Sequence, residues 1–278
     1  MSLEEDFLKL LMDAIETDRL VLPTLPEVAL RIREAVENPD VSAGGLAEVI
    51  SSDAALSARL IKVANSPLLR GRVVVDNLQM GITRLGITFV RNLATGLAME
   101  QMFQATSEYV DSRMRASWEH SIEVASISHV LAKHYAGLKP DQATLAGLTH
   151  EIGILPILTI AEENPALLED EEMLDRIITQ LHPQIGCAIL KAWEFPPELQ
   201  NVPKDYVNFG RQHEGPADYG DVVCVANLQS YAGSDHPFAS INWSEVPSFA
   251  RLGLDTEMEV QEVEGIADDI EEARALFA

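Results

Sequence analysis

The sequence predicts an all-α protein, and three observations carry that reading. Apolar residues make up 47% of the chain but aromatics only 6%, so Leu, Ala, Ile and Val must build the core. That composition favours helices packed on helices. Between turn signals, apolar residues recur at three- and four-residue spacing, the period of an amphipathic helix. No stretch shows the strict alternation of a half-buried strand, and there is no self-similar period of about 20–50 residues. At 278 residues the chain is long enough for one large domain or two small ones.

The elements follow in order. Residues 3–16 place Phe7, Leu8, Leu10, Leu11 and Ile15 on one helical face. Leu22-Pro23-Thr24-Leu25-Pro26 is an extended link, with Thr24 as the expected N-cap, Glu27 as its capping-box partner and Pro26 in the first turn. The helix carries Val28, Ile32, Ala35 and Val36 inward and stops at Asn38-Pro39-Asp40. Ser42 can cap the next helix, with Leu46, Val49 and Ile50 inward; Ser51-Ser52-Asp53 reads as a break and a new cap. Leu56, Leu60, Ile61, Val63 and Ala64 continue to Asn65-Ser66-Pro67. Residues 77–86 give a short helix closed by Gly86, and residues 87–103 another. These segments need only packing to explain them.

Residues 104–112 turn polar and mark a candidate boundary. A long helix is expected over 113–135, then a turn at Leu138-Lys139-Pro140-Asp141. The next helix is apolar through Ala143, Leu145, Ala146 and Leu148 to His150, Glu151 and Ile152. Gly153 either ends it or lets another backbone pass close. Residues 154–160 stay apolar, and residues 166–180 are acidic and amphipathic. His182-Pro183 opens a further helix running to Trp193. Residues 198–218 read as irregular, 221–231 as an apolar helix carrying Asn227, and 234–248 as loop. Val260, Val263, Ile266, Ile270 and Leu276 then give an acidic amphipathic helix that docks back.

The formal charge is −24, from 20 basic against 44 acidic side chains. Such a field repels phosphate backbones and anionic bilayers, so neither nucleic acid nor a membrane is an expected partner. No apolar run reaches about 18 residues, so no transmembrane helix is expected. The acidic start, Met1-Ser2-Leu3-Glu4-Glu5-Asp6, lacks a signal-peptide pattern. Cys187 and Cys224 form no CxxC pair and are expected as buried reduced thiols. Together these point to the cytoplasm.

Among the seven histidines, His134 and His236 sit in polar, turn-like surroundings and are expected at the surface. His129 lies about two and a half turns beyond His120 and faces another way. His120, His150 with Glu151, and His182 fall where an apolar helix must face the core. Buried polar groups of this kind are either hydrogen-bonded packing residues or metal ligands gathered from several helices. The spacing leaves both open. No G-x-S-x-G turn and no GxxxxGK[ST] or GxGxxG loop is present.

Several stretches in order resemble the HDOD family, degenerate relatives of the HD and HD-GYP phosphohydrolases of bacterial signalling. They are Leu22-Pro23-Thr24-Leu25-Pro26, Ile50-Ser51-Ser52-Asp53, Leu56 to Leu60, Ala64-Asn65-Ser66 and Ile82 to Gly86. Trp118-Glu119-His120-Ser121, Ala146 to Gly153, and His182 through Gly186 to Trp193 complete the set, which spans roughly residues 18–235. The resemblance implies an N-terminal helical module over residues 1–105, an HD-like bundle over 106–240 and the acidic helix packing back over 241–278.

An active HD site holds divalent metal with a histidine, a His-Asp pair and a later aspartate. His120 and His150 match the two histidines, and His182 resembles a further histidine of the HD-GYP relatives. Glu151 stands where aspartate belongs, and Asn227 falls at the later aspartate. Gln212-His213-Glu214 is the nearest stretch to the paired histidines of those relatives. The ligand set is thus retained in outline with two changes. The resemblance implies a stand-alone, non-catalytic regulatory protein acting through a signalling protein partner. The alternative is a divalent-metal phosphohydrolase of the phosphodiester or cyclic-dinucleotide class, using Fe, Mn, Ni or Zn. A nucleotide ligand bound without turnover is the third expectation. The oligomeric state is left open.

Overall fold

A computed structural model describes residues 22–69, 71–263 and 265–277. The helix expected over residues 3–16 lies outside them. Every regular element among the described residues is helical. The first five are α1 (Glu27–Glu37), α2 (Ala43–Ile50), α3 (Ala54–Ala64), α4 (Leu78–Leu85) and α5 (Ile87–Met99). Then come α6 (Glu108–Leu131), α7 (Pro140–Thr149), α8 (Ile154–Glu162), α9 (Pro165–Leu168) and α10 (Glu171–Ala192). The last are α11 (Val202–Asp205), α12 (Tyr219–Ser230), α13 (Pro247–Leu252) and α14 (Ile266–Arg274).

Local signals set most boundaries. Ser42, Asp53 and Asn77 each accept the backbone N–H three residues on, at 3.0, 2.9 and 2.8 Å. Thr24 does not cap α1. The residue before that helix is Pro26, which offers no side-chain acceptor, and Glu27 is already its first residue. The central helix also starts earlier than its apolar pattern, because Ser107 caps it through Val110 N. His182 opens no new helix. Residues 171–192 form one helix with Pro183 inside it. Leu174, Ile177, Leu181, Ile185 and Ile189 bury a continuous stripe on both sides of the proline, and that packing outweighs one lost backbone hydrogen bond.

The helices surround α6, which packs against α7, α8, α12 and α14. The first five form a layer in which α1 lies on α2 and α5, and α5 on α7. One hydrophobic core therefore runs from Leu25 to Phe277 across residue 105. Two glycines allow the closest approaches. A Cβ on Gly147 would stand 2.5 Å from Ala125 Cα, so α7 meets α6 backbone to backbone. A Cβ on Gly153 would fall 2.0 Å from the His182 carbonyl oxygen, so here glycine lets another backbone pass. Pro140–Glu162 passes for a bilayer-crossing stretch by length and composition alone, the mean hydropathy of its most apolar 18-residue window being 1.4. Its most apolar window is 83% buried inside the bundle. Cys224 is buried and Cys187 half-buried, and both are free thiols.

Candidate metal centre

The packing around α6 gathers side chains from four helices. His120 lies on α6, His150 and Glu151 in the turn closing α7, His182 in mid α10 and Asn227 on α12. One ligand atom each from His120, His150 and Glu151 falls within 4.8 Å of the others. The His120 and His150 rings are 5.3 Å apart. Asn227 joins them, with its Oδ1 3.0 Å from His120 Nε2. His182 is adjacent but otherwise engaged.

Hydrogen bonding decides what each group can offer. His150 Nδ1 is 2.6 Å from the Gly147 carbonyl, so this nitrogen carries the proton and donates. Its Nε2 is buried and has no hydrogen-bond partner. Burial lowers the His150 pKa to about 4, so the ring is neutral and Nε2 keeps its lone pair. An imidazole fixed through one nitrogen and bare at the other is the arrangement of a metal-bound histidine. Burial pushes the Glu151 carboxyl up, but the imidazoles of His150, His120 and His182 and the Ser117 hydroxyl outweigh it and hold it below the usual range. A bare lone pair beside a carboxylate fits a divalent cation.

The remaining ligand positions are occupied by the protein itself. Asn227 Oδ1 accepts from His120 Nε2, which therefore carries a proton, while Asn227 Nδ2 is buried without a partner. His182 Nδ1 donates to the Ile178 carbonyl at 2.8 Å, leaving Nε2 to accept the Tyr206 hydroxyl at 2.7 Å. Tyr206 is buried, its ring standing edge-on to His150 with centroids 4.7 Å apart. Burial and the Glu151 charge raise its pKa well above the ordinary value, so the hydroxyl stays protonated.

Sequence reasoning missed three members of this neighbourhood. Tyr206 lies in a stretch read as irregular, and a lone tyrosine there has no periodic signal. Tyr231 stacks on the His120 ring at 4.7 Å, and His236 stacks on Tyr231 at 3.7 Å. His236 is therefore not a free surface residue; it is the outer ring of a stack that starts at the site. His134 is exposed as expected, paired with Asp269 at 2.6 Å. His129 faces away from His120 and bonds Thr144 Oγ1 at 2.9 Å. His213 belongs to a different cluster, 2.8 Å from Asp221 and 3.8 Å from Asp218.

Comparison with known proteins places the fold. The HDOD domain family matches residues 22–206. A crystal structure of a "putative metal-dependent phosphohydrolase" from Shewanella amazonensis SB2B is 35% identical, covers 100% of both chains and superposes with a TM-score of 0.87. An HDOD domain protein of unknown function from Geobacter sulfurreducens shares the fold at 21% identity, covering 92% of this chain and 94% of its own, with a TM-score of 0.66. An uncharacterised protein of Treponema pallidum (strain Nichols) is 25% identical over 246 residues; the match takes in 83% of this chain and 46% of that protein, so the chain spans about half the length of this curated relative. The match over residues 22–206, more than half of the chain, establishes that this chain belongs to the HDOD family.

Proposed function

We propose that this chain is a regulatory HDOD protein of bacterial signal transduction, acting in the cytoplasm through a protein partner rather than by turnover. The observation that supports this is the self-satisfied ligand set. The Tyr206 hydroxyl engages His182 Nε2, and Asn227 Oδ1 engages His120 Nε2. An aspartate at position 227 would add a charge to balance a cation; the amide does not. On this reading the site holds at most a single Fe, Mn, Ni or Zn ion through His150 and Glu151, with His120 joining them only where it releases Asn227, in a structural or sensory role.

A specific observation favours a second reading. The bare Nε2 of His150 beside Glu151 is what a working metal site needs, and a 35% identical neighbour is described as a "putative metal-dependent phosphohydrolase". A divalent ion there would acidify a bound water for attack on a phosphodiester or cyclic dinucleotide.

Elemental analysis of untagged protein purified without chelator, beside His150→Ala and Glu151→Ala, separates the readings when paired with a phosphodiester and cyclic-dinucleotide screen. The regulatory reading expects no product in any sample, with any bound ion lost from both variants. Metal-dependent turnover that disappears in His150→Ala would replace it with the hydrolase.

A further inference from the structure

A cleft of about 300 Å³ lies where α1, α5, α7 and the turn after α10 meet. That is the lower end of the size range of small-ligand pockets, about 300–1,000 Å³. It is separate from the histidine cluster and shares no residue with it. Its walls come from both sides of residue 105: Leu25 and Val36 face Leu145, Trp193 and Phe195. Anything bound there touches the first helical layer and the bundle at once.

The apolar walls are firmly placed. Trp193 Nε1 donates to the Pro23 carbonyl at 2.9 Å, and the Trp193 carbonyl accepts from Arg33 Nη1 at 2.7 Å. The Trp193 and Phe195 rings are 6.0 Å apart and tilted by 42°. A wall fixed in advance loses little freedom when a ligand arrives.

Two polar groups on α5 are left over. Arg91 and Thr95 stand four residues apart, hence on one face of the helix, and both line the cleft. Arg91 spends only its Nε, donating to Asn92 Oδ1 at 3.0 Å. Asn92 is buried and oriented in turn by its bond to Asp141 Oδ2 at 2.7 Å. The terminal nitrogens of Arg91 and the hydroxyl of Thr95 have no hydrogen-bond partner among the described residues. A guanidinium and a hydroxyl one turn apart, at the edge of an apolar cleft, complement a carboxylate.

The surrounding charge selects how much anion is accepted. Arg33 is already balanced by Glu194 at 3.4 Å and Glu37 at 3.9 Å, both well exposed at the rim. With a chain charge of −24, these carboxylates disfavour a dianion such as a phosphate monoester. We infer that this cleft is a binding site for an aromatic monocarboxylate, its ring against Trp193 and Phe195 and its carboxylate on Arg91 and Thr95. The proposal does not depend on whether the histidine site turns over a substrate.

The test titrates the full chain with 3-phenylpropionate and indole-3-acetate, beside their uncharged amides and adenosine monophosphate. Calorimetry gives affinity, and ligand-observed NMR confirms contact. Saturable binding of the carboxylates is expected, with the amides and the monophosphate weaker. Arg91→Gln should weaken the carboxylates by about tenfold or more and Thr95→Val by about threefold, each with an unchanged circular dichroism spectrum. Trp193→Phe should weaken the ring contribution for both carboxylates and amides. Absence of saturable carboxylate binding, tighter binding of the monophosphate, or affinity unchanged in folded Arg91→Gln would overturn the proposal. Should Arg91→Gln not fold, isosteric Thr95→Val decides: an unchanged affinity overturns the assignment.

Discussion

Two clusters in this molecule bring histidine and carboxylate ligands together, and they differ in what is left over. In both, three metal-type ligand atoms lie within 4.8 Å of one another. In the first, His150 Nε2 is bare, and the groups that hold the Glu151 carboxyl low are imidazoles and the Ser117 hydroxyl rather than guanidinium groups. In the second, Asp221 is fully buried and saturated. Its Oδ2 accepts from His213 at 2.8 Å and from Asp218 N at 3.1 Å, and its Oδ1 accepts from Ser248 at 2.8 Å. Arg211 and Arg251 stand 3.5 and 3.7 Å from the same carboxylate. Built-in guanidinium groups take the place a cation would need. Proximity of ligand types therefore does not make a metal site; a spare lone pair and an uncompensated carboxylate do.

The largest expected effect comes from breaking the saturated cluster. Asp221→Ala takes a carboxylate away from Arg251 and His213, leaves Arg211 with Asp218 and Asp205, unpairs the buried Ser248 hydroxyl and removes half of the capping box that starts α12. A loss of about 2–3 kcal/mol in urea unfolding is expected, from the buried hydrogen-bonding groups left without their acceptor. Metal content and the surroundings of His150 should not change in whatever protein remains folded. Metal loss in folded Asp221→Ala would show that the second cluster, and not the first, is the cation site.

Acid separates the clusters by pH window. His129 is buried near neither of them, and burial lowers its pKa to about 4 from an ordinary 6.5. The unfolded chain therefore binds the proton first. Stability is complete above about pH 6.5 and is lost as pH falls towards 4, by at most about 3 kcal/mol for this group. His150 follows the same window. Burial pushes the Asp218 carboxyl up, but its hydrogen bond to Arg211 outweighs this and holds it below the ordinary 3.8, so the second cluster weakens only at still lower pH. Urea unfolding from pH 8 to 3 should show two stages. His129→Gln should shallow the first stage, and Asp218→Asn the second. A slope above pH 4 that is identical in His129→Gln would mean that His129 is not held neutral.

The same contrast explains what was legible in the sequence. Ser42, Asp53 and Asn77 announce helix starts because a cap is a local signal, read within three residues. His120, His150, Glu151 and Asn227 stood out because ionisable or amide groups inside apolar helices need partners. Pro183 misled because its local cost is overcome by a buried stripe that only the tertiary packing reveals. Tyr206 and His236 were invisible for a related reason. Their roles are set by what lies across the bundle, and nothing in their own neighbourhoods marks them. The Arg251 contact that helps disarm the second cluster reaches back 38 residues to His213, so charge composition alone does not place it.

The smallest expected effect sharpens the comparison most. Tyr206→Phe keeps the ring edge-on to His150 and deletes only the hydroxyl that bonds His182 Nε2. One neutral hydrogen bond is worth about 1 kcal/mol, so the fold should survive with that loss. His182 Nε2 then has a free lone pair, on a ring near enough for the Glu151 carboxylate to influence it. If the tyrosine is what keeps His182 from a cation, divalent-metal affinity should rise in Tyr206→Phe. Ser248→Ala is the matched control: it removes one hydrogen bond from Asp221 at a similar cost, in a cluster whose arginines remain in place. No gain in metal affinity is expected there. A rise confined to Tyr206→Phe would mean that a single hydroxyl separates a bundle with one bare ligand from one with a fuller set. Equal affinity in both variants would limit the site to His120, His150 and Glu151.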